Sequence, residues 1–493
     1  MNGSIAILSS PFSTKLSPSL SQMDLTTLPL ESMLFLCLGF LVLLVALLKL
    51  SGGEAKNLPP GRQGWPLVRE NISFYCASRH SFFDFLQPRI SRYGKIFTTH
   101  LFGKRTVISA DANFNKWVLQ NEGKLFRAKF PKAFSEVFGK YGMLSIHGDL
   151  QRKLHGVAIN LLGQDKLKAH FLAEVDSMIR TRVRQWVGGE ILLQDELRMM
   201  VLELMLKQLL DIDPSEEARA IAREFRDFTS SGIGCLPIRI PGTRFYRALK
   251  AREALVARVK KEIAEREEHT EVMRGDLLSR LLRQESRLPD EVIVDFILFL
   301  AHAGHHTSAR VMVFAVKHLT DNPAALQQLR EEHDAIAKDV DGGRLTWDHY
   351  KSMKFTQCVV NETLRLNGAS LLVREAPNDV PADGYVIPKG TSIILALDGV
   401  HKDREKYDFP LVFNPWRWQS AGLPQEKDAA FAPFGGGPRL CPGSQLAQLE
   451  VSIFLHYLVT NCRWEKVKED QAIQFPAPNF PLGFPIRLYP REM

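Results

Sequence analysis

The protein is 493 residues long, with a formal charge of +8 and 24% charged residues. Length alone would suit about three domains, yet no internal linker, repeat or long low-complexity tract appears between residues 62 and 493, so one large catalytic domain with an ample core is expected. Basic residues alternate with acids, as in Lys250-Ala251-Arg252-Glu253, which excludes a nucleic-acid-binding arm and leaves a diffuse excess for docking an acidic partner.

Residues 1–32 read as a leader, and the first 22 hold seven serines, one lysine and no acid. That faintly suggests a transit peptide, but arginine is absent and Met23-Asp24 offers a second start. Residues 33–50 read as a membrane anchor, because 33–48 carry no charge and Leu28 and Leu30 extend the run toward membrane-spanning length. A cleaved signal peptide is the competing reading, although no basic segment precedes the run and no clear cleavage site precedes Lys49. Asp24 and Glu31 precede the run, whereas Lys49, Lys56 and Arg62 follow it, so the bulk of the protein should face the cytosol. Residues 51–61, with Ser51-Gly52-Gly53 and Leu58-Pro59-Pro60-Gly61, read as a flexible hinge that ends in a stiff turn.

The catalytic domain, 62–493, is patterned as mainly α with a minor β region. Strands are expected at 96–101, 105–109, 385–387, 392–397 and 485–488. A helix should start near Pro289-Asp290-Glu291 and be apolar nearly all round from Val292 to Ala303, hence buried. Gly304 interrupts it at a cost of about 1 kcal/mol relative to alanine, so something should lie against its backbone. Thr307 falls one turn after Ala303 on the same face, and its hydroxyl can bond back to the Ala303 carbonyl. The neighbours His305 and His306 diverge by about 100° on a helix, which argues against a dedicated metal site.

Glu362 and Arg365 share a helical face at i, i+3 and would be an ordinary surface pair if they stood alone. Arg417, among the aromatics of Phe413-Asn414-Pro415-Trp416-Arg417-Trp418, supplies a second arginine, and two arginines around one glutamate can be satisfied when buried. Last comes Phe434-Gly435-Gly436-Gly437-Pro438-Arg439-Leu440-Cys441-Pro442-Gly443, ahead of a helix whose apolar stripe is Leu446, Leu449, Ile453 and Tyr457. Unpaired N–H groups at a helix start favour a thiolate at Cys441. The glycines let the backbone approach a flat ligand, and Arg439 could pair with an anionic group on it. A structural cysteine in a glycine loop is the plainer alternative. The six cysteines form no Cys-x-x-Cys pair, so a zinc site or redox dithiol is not expected and the surroundings should be reducing.

The cysteine loop resembles the haem-binding loop of cytochrome P-450 enzymes, and Ala303-Gly304-His305-His306-Thr307 resembles their dioxygen-binding groove. Glu362, Arg365 and Arg417 are similar to the family's structural triad. The likeness spans 34–493 and implies a cytochrome P-450 fold with haem b, whose iron takes Cys441 as axial ligand and whose surroundings include Phe434, Gly435 and Gly443. It implies propionate partners at Arg374 and Arg439, Thr307 and His306 in proton delivery, and pocket walls at Phe299, Ala303, Leu371 and Leu372. Electrons would come from NADPH through NADPH–cytochrome P-450 reductase. The setting would be the endoplasmic reticulum bilayer, with a monomeric protein facing the cytosol. Val400-His401, Asp403, Tyr407, Pro410 and 413–418, with Ile240-Pro241-Gly242-Thr243 and 483–488, resemble the plant steroid-hydroxylase branch that includes brassinosteroid enzymes. That likeness implies a sterol substrate, with C-22 of the sterol tail as one position. Arg69 stands where relatives often have glycine, with no consequence that follows, and three further residues depart from the family pattern. His306 stands where an acid is usual, and Gln151 and His155 stand where relatives carry a haem-propionate contact. A haem-thiolate isomerase or dehydratase, and a poorly active sterol-binding protein, are the alternatives. Thr307 weighs against the first, while the three departures favour the second.

Overall fold

In the computed structural model the described residues are 38, 39, 41, 42, 57–61 and 69–491. Segments 230–236, 270–273, 284–286, 341–342, 369–370, 383, 421–428 and 475–478 are excepted. The leader, most of the anchor and hinge residues 51–56 lie outside them. Among the described residues no helix is long and apolar enough to cross a membrane. The end of the hinge is held in place. Pro59 and Pro60 carbonyls accept from Thr98 Oγ1 and N, both at 2.9 Å, and a Cβ on Gly61 would fall 2.0 Å from the Thr98 carbonyl oxygen.

The unit 55–493 is mainly helical. At its centre runs Asp290–Asp321, a 32-residue helix of about 48 Å at 1.5 Å per residue. Its stretch from Val292 to Ala301 is buried without interruption, as the all-round apolar pattern requires. Asp290 and Glu291 occupy the first turn, but Pro289 at the cap makes no side-chain cap bond. Leu193–Leu210 packs along this helix, and Ser444–Asn461 packs on it as well as on Leu172–Trp186, Lys354–Asn367 and Pro323–Val340.

Five strands form the larger sheet, in the order Ile96–Leu101, Lys104–Ser109, Ser392–Leu395, Leu372–Glu375, Arg127–Ala128. One junction, Lys104–Ser109 with Ser392–Leu395, is parallel. The strand expected to reach Leu397 stops at Leu395, because Leu397 opens a short helix to His401. Pro485–Pro490 extends two residues further than expected and pairs with both Cys462–Lys466 and Glu190–Leu192. Those two partners, like Leu372–Glu375 and Arg127–Ala128, are too short for alternation to reveal them. One extended core fills the helical part, and two smaller clusters flank the large sheet.

Candidate active site

The Glu362 network is closed and buried. Arg365 and Glu362 have side chains at 0% exposure and pair in two bonds, Nε–Oε2 at 2.9 Å and Nη2–Oε1 at 2.8 Å. Arg417 Nε reaches Oε1 at 3.1 Å, Trp418 Nε1 donates to Oε2 at 3.0 Å and the Asn414 N–H donates to Oε1 at 2.9 Å. Arg365 Nη1 donates in turn to the carbonyls of His401 and Pro410, each at 2.7 Å. Two cations on one anion are tolerable here because backbone carbonyls take up the remaining donors. His401 links this network to the cysteine loop, since its Nε2 accepts from the Ala432 N–H at 3.2 Å. Burial, with Arg365 nearby, pushes that imidazole down to about 3, so it is neutral and free to accept.

The loop closes on itself where the Cys441 N–H donates to the Phe434 carbonyl at 3.1 Å, and the following helix starts at Ser444 with Gly443 as cap. Leu446, Leu449, Ile453 and Tyr457 are all buried along it. Burial pushes the Cys441 thiol up, while the Gly443 backbone group bonded to it pulls the other way, so desolvation outweighs the helix-start effect expected from sequence. Gly437 has φ +64, and a Cβ there would lie 2.2 Å from the Leu119 carbonyl oxygen. This glycine is therefore required by the loop's contact with helix Ala112–Gln120, whereas the flat-ligand argument reached it without that contact. Leu372 lies against Gly435, with Cδ1 3.5 Å from where a Cβ would stand.

Gln151 and His155, both on helix Gly148–Leu162, reach this loop. Gln151 Nε2 donates to the Pro438 carbonyl at 3.1 Å, and His155 Nε2 donates to the Leu440 carbonyl at 2.7 Å. The two departures from the family pattern thus bracket Arg439 with side-chain bonds.

Arg439 and Arg374 converge on Glu122, a residue that sequence reasoning missed. Arg374 Nε lies 2.8 Å from Glu122 Oε2, and Arg439 Nε pairs with Oε1; the three side chains are 4%, 9% and 6% exposed. Arg439 also donates to the carbonyls of Met143 and Ile146, both at 2.6 Å. Two guanidiniums against one carboxylate leave the buried site net positive, and Arg374 Nε and Glu122 Oε2, although close, form no aligned hydrogen bond. A dianionic haem fits this surplus of charge, the open glycine loop and the cysteine at its end.

On the central helix, Thr307 Oγ1 donates to the Ala303 carbonyl at 2.8 Å. Thr307 is exposed on an otherwise buried helix, and the nearby residues that keep accessible surface are His302, Ala303, Gly304, His306 and Arg310. What lies against Gly304 is Met205, whose Sδ would be 2.6 Å from a Cβ there, so the glycine serves close helix packing. His306 sits among His302, His305, Arg198 and Arg310, and burial together with the Arg198 charge holds its imidazole well below the usual 6.5. Phe299 is buried, 3.5 Å from where a Cβ on Gly142 would stand. Leu371 is half-buried and packs with the cluster of Phe74, Phe85 and Phe97.

Residues 59–489 match the family model described as cytochrome P-450. An abietadienol/abietadienal oxidase of Pinus taeda is 48% identical over 443 residues, covering 88% of this chain and 91% of that protein. A steroid (22S)-hydroxylase of Oryza sativa subsp. indica is 41% identical, covering 88% of each. Among solved structures, retinoic acid bound cyanobacterial CYP120A1 superposes with a TM-score of 0.78 at 24% identity, covering 89% of this chain and 100% of that one, which speaks to the fold. With fold, family model and near relatives agreeing, the protein belongs to the cytochrome P-450 family and is a haem-dependent monooxygenase.

Proposed function

We propose that this enzyme oxidises a polycyclic isoprenoid of the sterol or resin-terpenoid kind, drawing electrons from NADPH through a membrane-bound reductase. In this reading it is a monomer, held by residues 33–50 in the endoplasmic reticulum membrane with the catalytic domain in the cytosol. The observation that carries the chemistry is the loop ending at Cys441, set beside two buried arginines that share a single carboxylate. Haem, when bound through Cys441, supplies insertion of one oxygen atom into an unactivated C–H bond.

The protein's own residues do the rest. Arg374 and Arg439 hold the haem propionates, and the Gly443 backbone group bonded to Cys441 steadies its sulfur. Thr307, bonded to Ala303, keeps its oxygen lone pairs for a water. His306, neutral by burial, has one N–H and one open lone pair, so it can pass a proton without carrying charge. Glu362, Arg365 and Arg417 hold the polypeptide under the loop. Phe299, Ala303, Leu371 and Leu372 wall the pocket and exclude water.

The similarity to steroid (22S)-hydroxylase favours hydroxylation of a sterol tail at C-22. A second reading, oxidation of an alcohol or aldehyde carbon, is favoured by the 48% identity to the abietadienol/abietadienal oxidase.

The test is co-expression of the full-length protein with a plant reductase. The microsomal pellet should carry the red-shifted carbon monoxide Soret band of thiolate-ligated haem, and Cys441→Ser should abolish it. Sterol and resin-terpenoid panels should give products that need both NADPH and oxygen. A serine variant that keeps the band, or a wild type that converts no isoprenoid, refutes the reading.

A further inference from the structure

The central helix holds polar groups that its own fold leaves unsatisfied. His302, His306 and Arg310 recur at i, i+4 and i+8 and so form one stripe, on the face next to Ala303 and Thr307. His305 lies beside them, its ring 6.2 Å from those of His302 and His306, but its Nδ1 is satisfied by donating to the Ala301 carbonyl at 2.7 Å. The surroundings of the stripe are apolar. The His302 ring lies 4.4 Å from the Phe138 ring and 6.3 Å from that of Phe228, and His306 follows at 6.1 Å from His302.

Within this setting, His302 Nδ1 and Arg310 Nε are buried with no hydrogen-bond partner among the described residues. The charges felt by His306 near neutral pH are those of Arg198 and Arg310, so the local field is positive. Burial alone accounts for Arg310 being pushed down to about 10, with no acid beside it. Leaving a buried donor unmade costs about 1–3 kcal/mol, and more when it is charged. His302, His306 and Arg310 keep some accessible surface, whereas Ser308, Ala309 and 311–316 are buried outright. Arg310 Nε is a donor and needs an acceptor, and His302 Nδ1 needs one in its Nδ1–H tautomer.

We propose that the stripe His302–His306–Arg310 receives an oxygen atom of the substrate, so that the enzyme takes an isoprenoid already bearing a hydroxyl, carbonyl or carboxylate in preference to the bare hydrocarbon. The proposal rests on the isoprenoid reading above and deepens it. A carboxylate gains most, because a guanidinium and two neutral imidazoles offer it donors and charge together. An aldehyde or hydroxyl oxygen is received by the same donors more weakly. A purely hydrocarbon segment laid on the stripe would leave both orphan atoms desolvated and unmet.

The test uses the full-length ferric holoenzyme and four probes sharing one skeleton: the parent hydrocarbon, abietadienol, abietadienal and the corresponding carboxylic acid. Affinity is read from the Soret shift and, independently, by calorimetry. Wild type should bind at least one oxygenated probe about tenfold or more tightly than the hydrocarbon, which is the worth of one charge-assisted bond. His302→Phe and Arg310→Met should each erase most of that preference without weakening hydrocarbon binding, and Arg310→Lys should restore part of it. His302→Leu replaces the phenylalanine variant if the latter loses the carbon monoxide band. Equal affinity of wild type for hydrocarbon and oxygenated probes overturns this inference and leaves the isoprenoid reading standing. A preference that survives both substitutions also overturns it. A haem-loaded enzyme that binds none of the four probes and no sterol overturns both.

Discussion

The Glu362 network and the polar stripe of the central helix are both buried and both cationic, yet they are built in opposite ways. Around Glu362, both carboxylate oxygens and all the Arg365 donors are met within the protein, and Arg365 is fully enclosed. Along His302–Arg310, the atoms His302 Nδ1 and Arg310 Nε meet no partner among the described residues. The first arrangement holds polypeptide together. The second leaves stabilisation unclaimed, and natural interiors keep such a deficit where a ligand completes it.

The largest effect should come from breaking the closed network. Glu362→Gln leaves two buried guanidiniums underpaired and should cost about 3–5 kcal/mol, the range for removing one partner of a buried ion pair. Loss of the carbon monoxide Soret band from the microsomal pellet, or a large fall in Tm, would record it. Arg310→Met has no ion pair to break and should leave Tm unchanged or raised. A comparable fall in Tm for both variants would erase the contrast between the two regions.

An intermediate effect is expected at Glu450, on the helix after the cysteine loop, where burial pushes the carboxyl up to about 8 against a hydrogen bond from Ser308. Unfolded, this group ionises near its usual 4.5, so between about pH 4.5 and 8 the unfolded state releases a proton that the folded state keeps. Folding stability should therefore fall as pH rises through that window. Glu450→Gln removes the dependence: its Tm should match wild type near pH 4.5 and exceed it by a few degrees at pH 8. Parallel Tm–pH curves would show that the carboxyl is ionised in the folded state.

The smallest effect on stability should be at His306, whose consequence is kinetic. His306→Ala should hold folding stability within about 1 kcal/mol of wild type. It should also lower product formed per NADPH consumed and raise peroxide release, while His306→Glu restores the ratio. Equal ratios in all three proteins, at saturating reductase, would remove His306 from proton delivery and assign it to the stripe alone.

What the sequence determined by itself lies in short stretches whose spacing has one physical reading. Glu362 and Arg365 sit three apart on a helix, Ala303 and Thr307 four apart, and Cys441 follows its glycines by a fixed interval. The long apolar run of the central helix could only be buried. The strands at 127–128, 190–192 and 372–375 were not legible, because Arg-Ala, Glu-Ile-Leu and Leu-Val-Arg-Glu show no apolar–polar alternation.

Tertiary structure decided what meets across the molecule. Glu122 reads as a solvated turn residue in Asn121-Glu122-Gly123, and only the fold brings it between Arg374 and Arg439, some 250 and 317 residues away. Gln151 and His155 read as departures from a pattern until their donors are found on the carbonyls on either side of Arg439. Gly304 marks a close approach in sequence, but that Met205 makes it is a fact of helix packing. Likewise, His302 and Arg310 share a helical face in any reading of the sequence. That His302 Nδ1 and Arg310 Nε find no partner among the described residues depends on the packing of all those residues at once, and linear spacing holds no such information.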